Sequence, residues 1–198
     1  EEFKRFMFSL AVRNGYGNYK ETVLIGDGAA WIRSMKEELF PDAQQILDFY
    51  HLCENVYSYA KSVFSADENI YKPWAKEMCE SLKKSKYEYV LDVIKKIKVK
   101  KRDKSSLNLS QYIINNINNI DYADYIKRGY FIGSGAAESA NRYVLQERLK
   151  LPGMRWDAAN GQAVLSLMAK LKSGLWERDV VKASYRHYGV KPARAFPY

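Results

Sequence analysis

Cysteine is scarce. Cys53 and Cys79 are too few for a disulfide framework and lack the spacing of a zinc site. They read as two reduced thiols of a cytosolic protein. Long uncharged apolar runs are missing as well: none approaches the ~18 residues of a membrane span, and nothing resembles a signal peptide. A membrane partner is therefore set aside. No internal repeat is visible. Acidic residues are in deficit, 23 against 32 Lys and Arg, which leaves a net charge of +9. A summed positive potential of that size points to a polyanionic partner, nucleic acid above all.

What is present is ordinary for a soluble globular chain: 47% hydrophobic and 28% charged residues. A length of 198 residues suits one domain, or one domain carrying an insertion. The excess charge is concentrated. Residues 83–104 hold ten Lys and Arg, among them Lys95, Lys96, Lys98, Lys100 and Lys101, against Glu88, Asp92 and Asp103. Such a segment is either a solvated helix face running into a charged loop or a surface that tracks phosphates.

Periodicity predicts α/β segments separated by a helical block. Residues 1–13 carry Phe3, Phe6, Met7 and Leu10 at helix spacing, and Asn14–Asn18 is turn chemistry. Thr22–Ile25 reads as a short buried strand closed by Gly26-Asp27-Gly28, followed by a helix from Ala29 to Leu39 that Pro41 stops. Ala43–Leu47 is a second strand leading into Asp48-Phe49-Tyr50-His51. From Leu52 to about Lys127 helical periods dominate, with breaks expected near Ser65-Ala66-Asp67, Pro73, the Lys100–Ser106 run and Asp121. Helices are again expected at Ala136–Leu149, after the Gly133-Ser134-Gly135 turn, and at Ala158–Lys172.

Two carboxylates stand out. Asp27 ends a strand in the position where α/β sheets build sites, and its two glycine neighbours carry no side chains, leaving room for a metal or a phosphate. Alternatively it only caps the following helix. Glu138 opens a helix after a glycine-rich turn whose backbone N–H groups can approach an anion, with Arg142 one turn on and Arg148, Lys150 and Arg155 following. Asp48 and His51 read either as a pair adjacent to the site or as a helix cap and its first turn. His187 reads as surface in a basic aromatic tail. Trp156 and Trp176, which flank an amphipathic helix, read as core or as platforms for unpaired bases.

Gly133-Ser134-Gly135-x-x-Glu138, Gln146-x-Arg148-x-Lys150, Gly153-Met154-Arg155-Trp156, Gly161–Leu165 and Ser173-Gly174-x-Trp176 together resemble the C-terminal part of bacterial insertion-sequence transposases of the DDE class. Upstream, Ile25-Gly26-Asp27-Gly28-Ala29-x-Trp31-Ile32 resembles the strand bearing that family's second catalytic Asp. Ile46–His51 resembles the following strand with its Asp-x-x-His element. The likeness runs from about residue 20 to 180. It implies an α/β fold, predominantly helical, with a partial RNase H-like core and a large all-helical insertion. The implied division is residues 1–51 and 129–176 for the core, 52–128 for the insertion and 177–198 for a C-terminal helix and tail. It further implies phosphoryl transfer on DNA, with Asp27 and Glu138 as catalytic carboxylates holding two Mg²⁺ ions, for which Mn²⁺ can substitute. Asp48 and His51 would stand beside the site. Arg142, Arg148, Lys150, Arg155 and the five lysines at 95, 96, 98, 100 and 101 would hold DNA, both element ends and target. The setting would be the bacterial cytoplasm, at the nucleoid, with a homo-oligomer as the working form.

One departure accompanies the likeness. The family's first catalytic Asp lies on a strand before the helix at residues 1–13, in a three-stranded portion that this sequence does not contain, and neither Glu1, Glu2 nor Glu21 has the strand context to replace it. The expectation is a C-terminal portion, inactive alone, whose sheet edge and apolar surface lie uncovered. A DNA-binding remnant without catalysis and an RNase H-like nuclease or resolvase are the rival readings.

Overall fold

The computed structural model describes residues 2–97 and 108–182, which fall into two compact units, Glu1–Ser134 and Gly135–Tyr198. Lys98, Lys100, Lys101, His187 and the Lys100–Ser106 run lie outside the described residues.

In the first unit, helix α1 (Glu2–Arg13) precedes strand β1 (Val23–Gly26), helix α2 (Ala30–Leu39) and strand β2 (Gln44–Leu47). β1 and β2 pair in parallel, Val23 opposite Gln44 and Gly26 opposite Leu47. The ladder is closed at its ends by Gln44 N–H to Thr22 O and Asp48 N–H to Gly26 O, each 2.8 Å. Ile46 and Leu47 are almost fully buried, whereas all of β1 is only half-buried. Beside β1 lies an apolar groove of about 520 Å³ lined by residues such as Met7, Leu10, Tyr16, Val23 and Ile25. α1 packs above it through Met7, Phe8 and Ala11, and the rings of Phe8, Tyr16 and Phe40 meet at centroid distances of 5.0–5.9 Å. Edge-to-face rings at this spacing add to their area burial.

The helical block follows: α3 (Phe49–Val63), α4 (Glu68–Lys83), α5 (Tyr87–Lys96), α6 (Leu109–Asn115), a 3₁₀ turn (Ile117–Asn119) and α7 (Tyr122–Lys127). No strand occurs among its described residues, as the sequence predicts. α3 buries Phe49, Leu52, Val56 and Ala60, one apolar stripe. α4 returns antiparallel after the 64–67 turn, where Ser65 and Ala66 both have positive φ and Asp67 caps the new helix through Asn69 N–H. Pro73 does not break the chain as expected but lies inside α4. A proline there removes one helical N–H; the buried stripe Tyr71, Ala75, Met78, Cys79 and Leu82 carries the helix across it. Cys53 and Cys79 are free thiols in direct contact between these helices, and that hydrogen bond, with burial, pushes the Cys53 thiol up.

The second unit holds α8 (Gly135–Ala140), a π-helical stretch (Asn141–Gln146), α9 (Glu147–Leu149), α10 (Ala158–Lys172) and a π turn (Glu177–Val181). α10 has its predicted bounds, capped by Asp157 through Asn160 N–H. The predicted α-helix Ala136–Leu149 is helical throughout but widened at its centre. Bonding from i to i+5 rotates all later side chains, so Arg148 and Lys150 no longer follow Glu138 at α spacing. Trp156 and Trp176 are exposed, correcting the expectation that they are core. Apart from Gly161, no residue described in this unit is buried.

Candidate functional site

The parallel pairing puts two acids side by side in the chain's layout: Asp27 follows the last residue of β1 and Asp48 the last residue of β2. Their environments differ. Asp27 is exposed, and its Oδ1 accepts the Ala29 N–H at 3.0 Å. That bond turns the loop. It does not cap α2, whose N-cap is Ala29 itself with no side-chain bond. The other Asp27 oxygen accepts no hydrogen bond from the described residues. Helix α6 clamps the same loop, since the Tyr112 hydroxyl donates to the Asp27 carbonyl at 2.8 Å. Burial, then the nearby Asp27 carboxylate, pushes the Tyr112 phenol up to about 12, and the Asn55 side chain of α3 also bonds it.

The glycines around Asp27 do not leave open room, which corrects the sequence reading. A Cβ on Gly26 would lie 2.7 Å from Ile32 Cδ1, and one on Gly28 2.9 Å from Leu47 Cδ1 and 3.0 Å from Asn116 Oδ1. They are glycines because neighbours fill that space, and at Gly28 because φ is +81° as well. Asn116 is buried. Its Nδ2 donates to Tyr112 O, while its Oδ1 has no partner among the described residues.

Asp48 is 4% exposed and fully engaged. Its Oδ1 accepts from Tyr50 N–H at 2.8 Å and His51 N–H at 3.1 Å, capping α3, and its Oδ2 accepts Ser134 N–H at 2.7 Å. Burial pushes its carboxyl up. The hydrogen bonds from the Ser134 side chain, His51, Ser134 and Tyr50 outweigh that and hold it below the usual carboxylate range. The Tyr50 ring closes on Gly133, where a Cβ would fall 2.5 Å from Cδ2, and Phe49 N–H bonds Ile132 O at 2.8 Å. The anion met by a backbone N–H of the Gly133-Ser134 turn is therefore the protein's own Asp48. His51 points outward, with Nδ1 3.5 Å from Glu54 Oε2.

Two-ion chemistry asks for several carboxylates converging on one point. Among the described residues no group of three or more His, Cys, Asp or Glu side chains does so. Asp48 has no free oxygen to contribute. Asp27 offers one hard oxygen. The described residues thus do not by themselves fit a two-Mg²⁺ centre. Asp27 and Glu138 lie in different units, Glu138 in the first turn of α8.

Of the expected DNA contacts, Lys95, Lys96, Arg142, Arg148, Lys150 and Arg155 are all exposed and form no ion pair with described residues. Arg142 lies 5.9 Å from the Tyr143 ring centre. Sequence reasoning missed Tyr112, Asn116 and Ser134. Tyr112 and Asn116 do stand at i, i+4 on one helix, a signal available in the sequence. The partner of Tyr112, the Asp27 carbonyl 85 residues away, leaves no local trace.

Residues 8–185 match the uncharacterised protein family UPF0236. The chain belongs to that family. No curated protein and no solved structure matches it. The clamp of the UPF0236 chain on its Asp27 loop, the Asp48 cap and the Gly133-Ser134 anchor all fall inside the matched span. No described helix is long and apolar enough to cross a membrane.

Proposed function

We propose that this UPF0236 chain is the C-terminal portion of a DDE-type DNA transposase with an RNase H-like core, cutting and joining insertion-sequence ends by metal-dependent phosphoryl transfer. The observation that supports this reading is the anchor at Ser134. The exposed Asp27 loop leaves β1 at the carboxyl end of the β1–β2 pair and is held to α6 by Tyr112, and the turn that leads to Glu138 is fastened to the end of β2 by Asp48. In open α/β sheets sites form at that end. The net charge of +9 suits a DNA substrate.

Within this proposal Asp27 and Glu138 are the catalytic carboxylates, and a Mg²⁺ pair needs at least one further acid. The 198 residues are then expected to bind duplex DNA without cutting it. A protein in which they follow a strand-ending Asp is expected to cleave element ends with Mg²⁺ or Mn²⁺, with Asp27→Ala and Glu138→Ala each abolishing cleavage but not binding. Cleavage that survives Glu138→Ala would remove Glu138 from the site. The lack of three grouped acids among the described residues favours a second reading, a DNA-binding remnant without catalysis. Failure of the longer protein to cleave would select it.

A further inference from the structure

A cavity of about 420 Å³ with a polar lining lies between α2, the start of β2 and the segment from Asn115 through the 3₁₀ turn. Arg33 and Lys36 of α2 face the carboxamides of Gln44, Gln45, Asn115, Asn118 and Asn119 across it, with Glu37 the one acid in its lining. Some of this polarity is spent internally. Arg33 Nη2 reaches Asn115 O at 3.4 Å, Lys36 Nζ donates to Pro41 O at 2.7 Å, and Gln44 Nε2 bonds Gln45 O and the Tyr125 hydroxyl. Four guanidinium donors and two ammonium donors are left over. Gln45, 8% exposed as a residue, adds its carboxamide to the lining.

We infer that this cleft binds the sugar-phosphate backbone of DNA, an inference that rests on the DNA-binding reading above. The lining selects the ligand class. Small-molecule pockets are mostly apolar, and this one is almost wholly polar. Bases are held without sequence preference by stacking on aromatic rings, and no aromatic side chain lines it. What it offers is a fork of N–H donors from Arg, Lys, Asn and Gln, the set that contacts phosphate oxygens and fixes a duplex in register without reading sequence. With two cations to one acid, the cleft carries a local charge of +1, matching the sign of the whole chain.

The test is fluorescence-anisotropy titration of the 198-residue chain with a 20-bp duplex over a series of salt concentrations. Each phosphate neutralised contributes about 0.9 to the slope of log K against log salt. Arg33→Gln with Lys36→Gln should lower that slope by about 1.8 and weaken binding by ~10-fold or more at low salt, equally for unrelated sequences. Asn118→Lys, which adds a cation to the rim, should raise both affinity and slope. Circular dichroism on each variant controls for folding. Wild-type binding with both variants unchanged in affinity and slope overturns this site and leaves the DNA reading standing. No binding by the wild-type chain overturns both.

Discussion

Replacing Asp48 probes the anchor on which the proposed site depends. Asp48→Ala removes an N-cap, worth about 0.5–2 kcal/mol, and the charge-assisted bond to Ser134 N–H, worth about 1.5–3 kcal/mol. Because neighbouring losses do not add in full, about 3 kcal/mol is expected. Asp48→Asn separates the two. Its Oδ1 can still cap α3 through Tyr50 and His51, since Asn caps as well as Asp, but its NH₂ would confront the Ser134 N–H, donor against donor. The Asn variant should therefore lose about 1.5–3 kcal/mol, and Ser134 should exchange its amide hydrogen faster in both. The pH dependence has a definite sign. Asp48 titrates below its unfolded value of about 3.9, so its contribution is complete above that pH and disappears as pH falls through the folded value. Urea unfolding should give a wild-type-minus-variant difference that is flat from about pH 8 to 5 and closes only in the acid range below. A difference under about 0.5 kcal/mol at neutral pH, or one that closes above pH 5, would refute the account of Asp48 as a buried, ionised clamp.

Gly28→Ala should destabilise by about 2–3 kcal/mol, from a positive φ and contacts to Leu47 and Asn116, whereas Gly17→Ala, with φ +90° but open space around it, should lose only about 1 kcal/mol; equal losses in thermal melts would show that the packing at Gly28 is not what restricts it. Tyr112→Phe should lose about 1 kcal/mol and remove a phenol that titrates at about 12 in ultraviolet absorbance. Since that folded pKa is raised, the Tyr112 contribution is present below the unfolded value of about 10 and lost as pH rises through 12, so a phenol titrating near 10 would contradict the burial seen here. Replacing Lys95, Lys96, Lys98, Lys100 and Lys101 by Glu should abolish most sequence-independent DNA binding in gel shifts at low salt, and unchanged binding would locate the main contact surface elsewhere.

Local signals carried much of this fold. The β-branched run before Gly26-Asp27-Gly28 gave β1 to within a residue, and the apolar period over Ala158–Lys172 gave both ends of α10. Pro73 misled because a proline's local cost was weighed without the five buried side chains that hold α4 together. The π-helical widening at Asn141–Gln146 has no counterpart in the apolar period, which fits an uninterrupted helix equally well. At the site, Asp27 and Asp48 were both visible as strand-ending acids. What separated them was not. Asp48 is defined by Ser134, 86 residues away, and the Asp27 loop by Tyr112, 85 residues away. Pairings of that range depend on the packed helical block and leave no mark at either residue.

The same contrast says which acid is free to do chemistry. A carboxylate has about four acceptor directions, and Asp48 fills three of them with N–H groups while nearly buried. Drawing it to a metal ion or a substrate would undo the α3 cap and release the Gly133-Ser134 turn. Asp27 commits one oxygen to its own loop and presents the other to solvent, on a backbone held by Tyr112 and packed against Asn116. It is fixed in place yet unspent, the condition a ligating or catalytic carboxylate must meet before binding anything. In the proposed site Asp48 would act through the turn it holds, and Asp27 through the oxygen it leaves open.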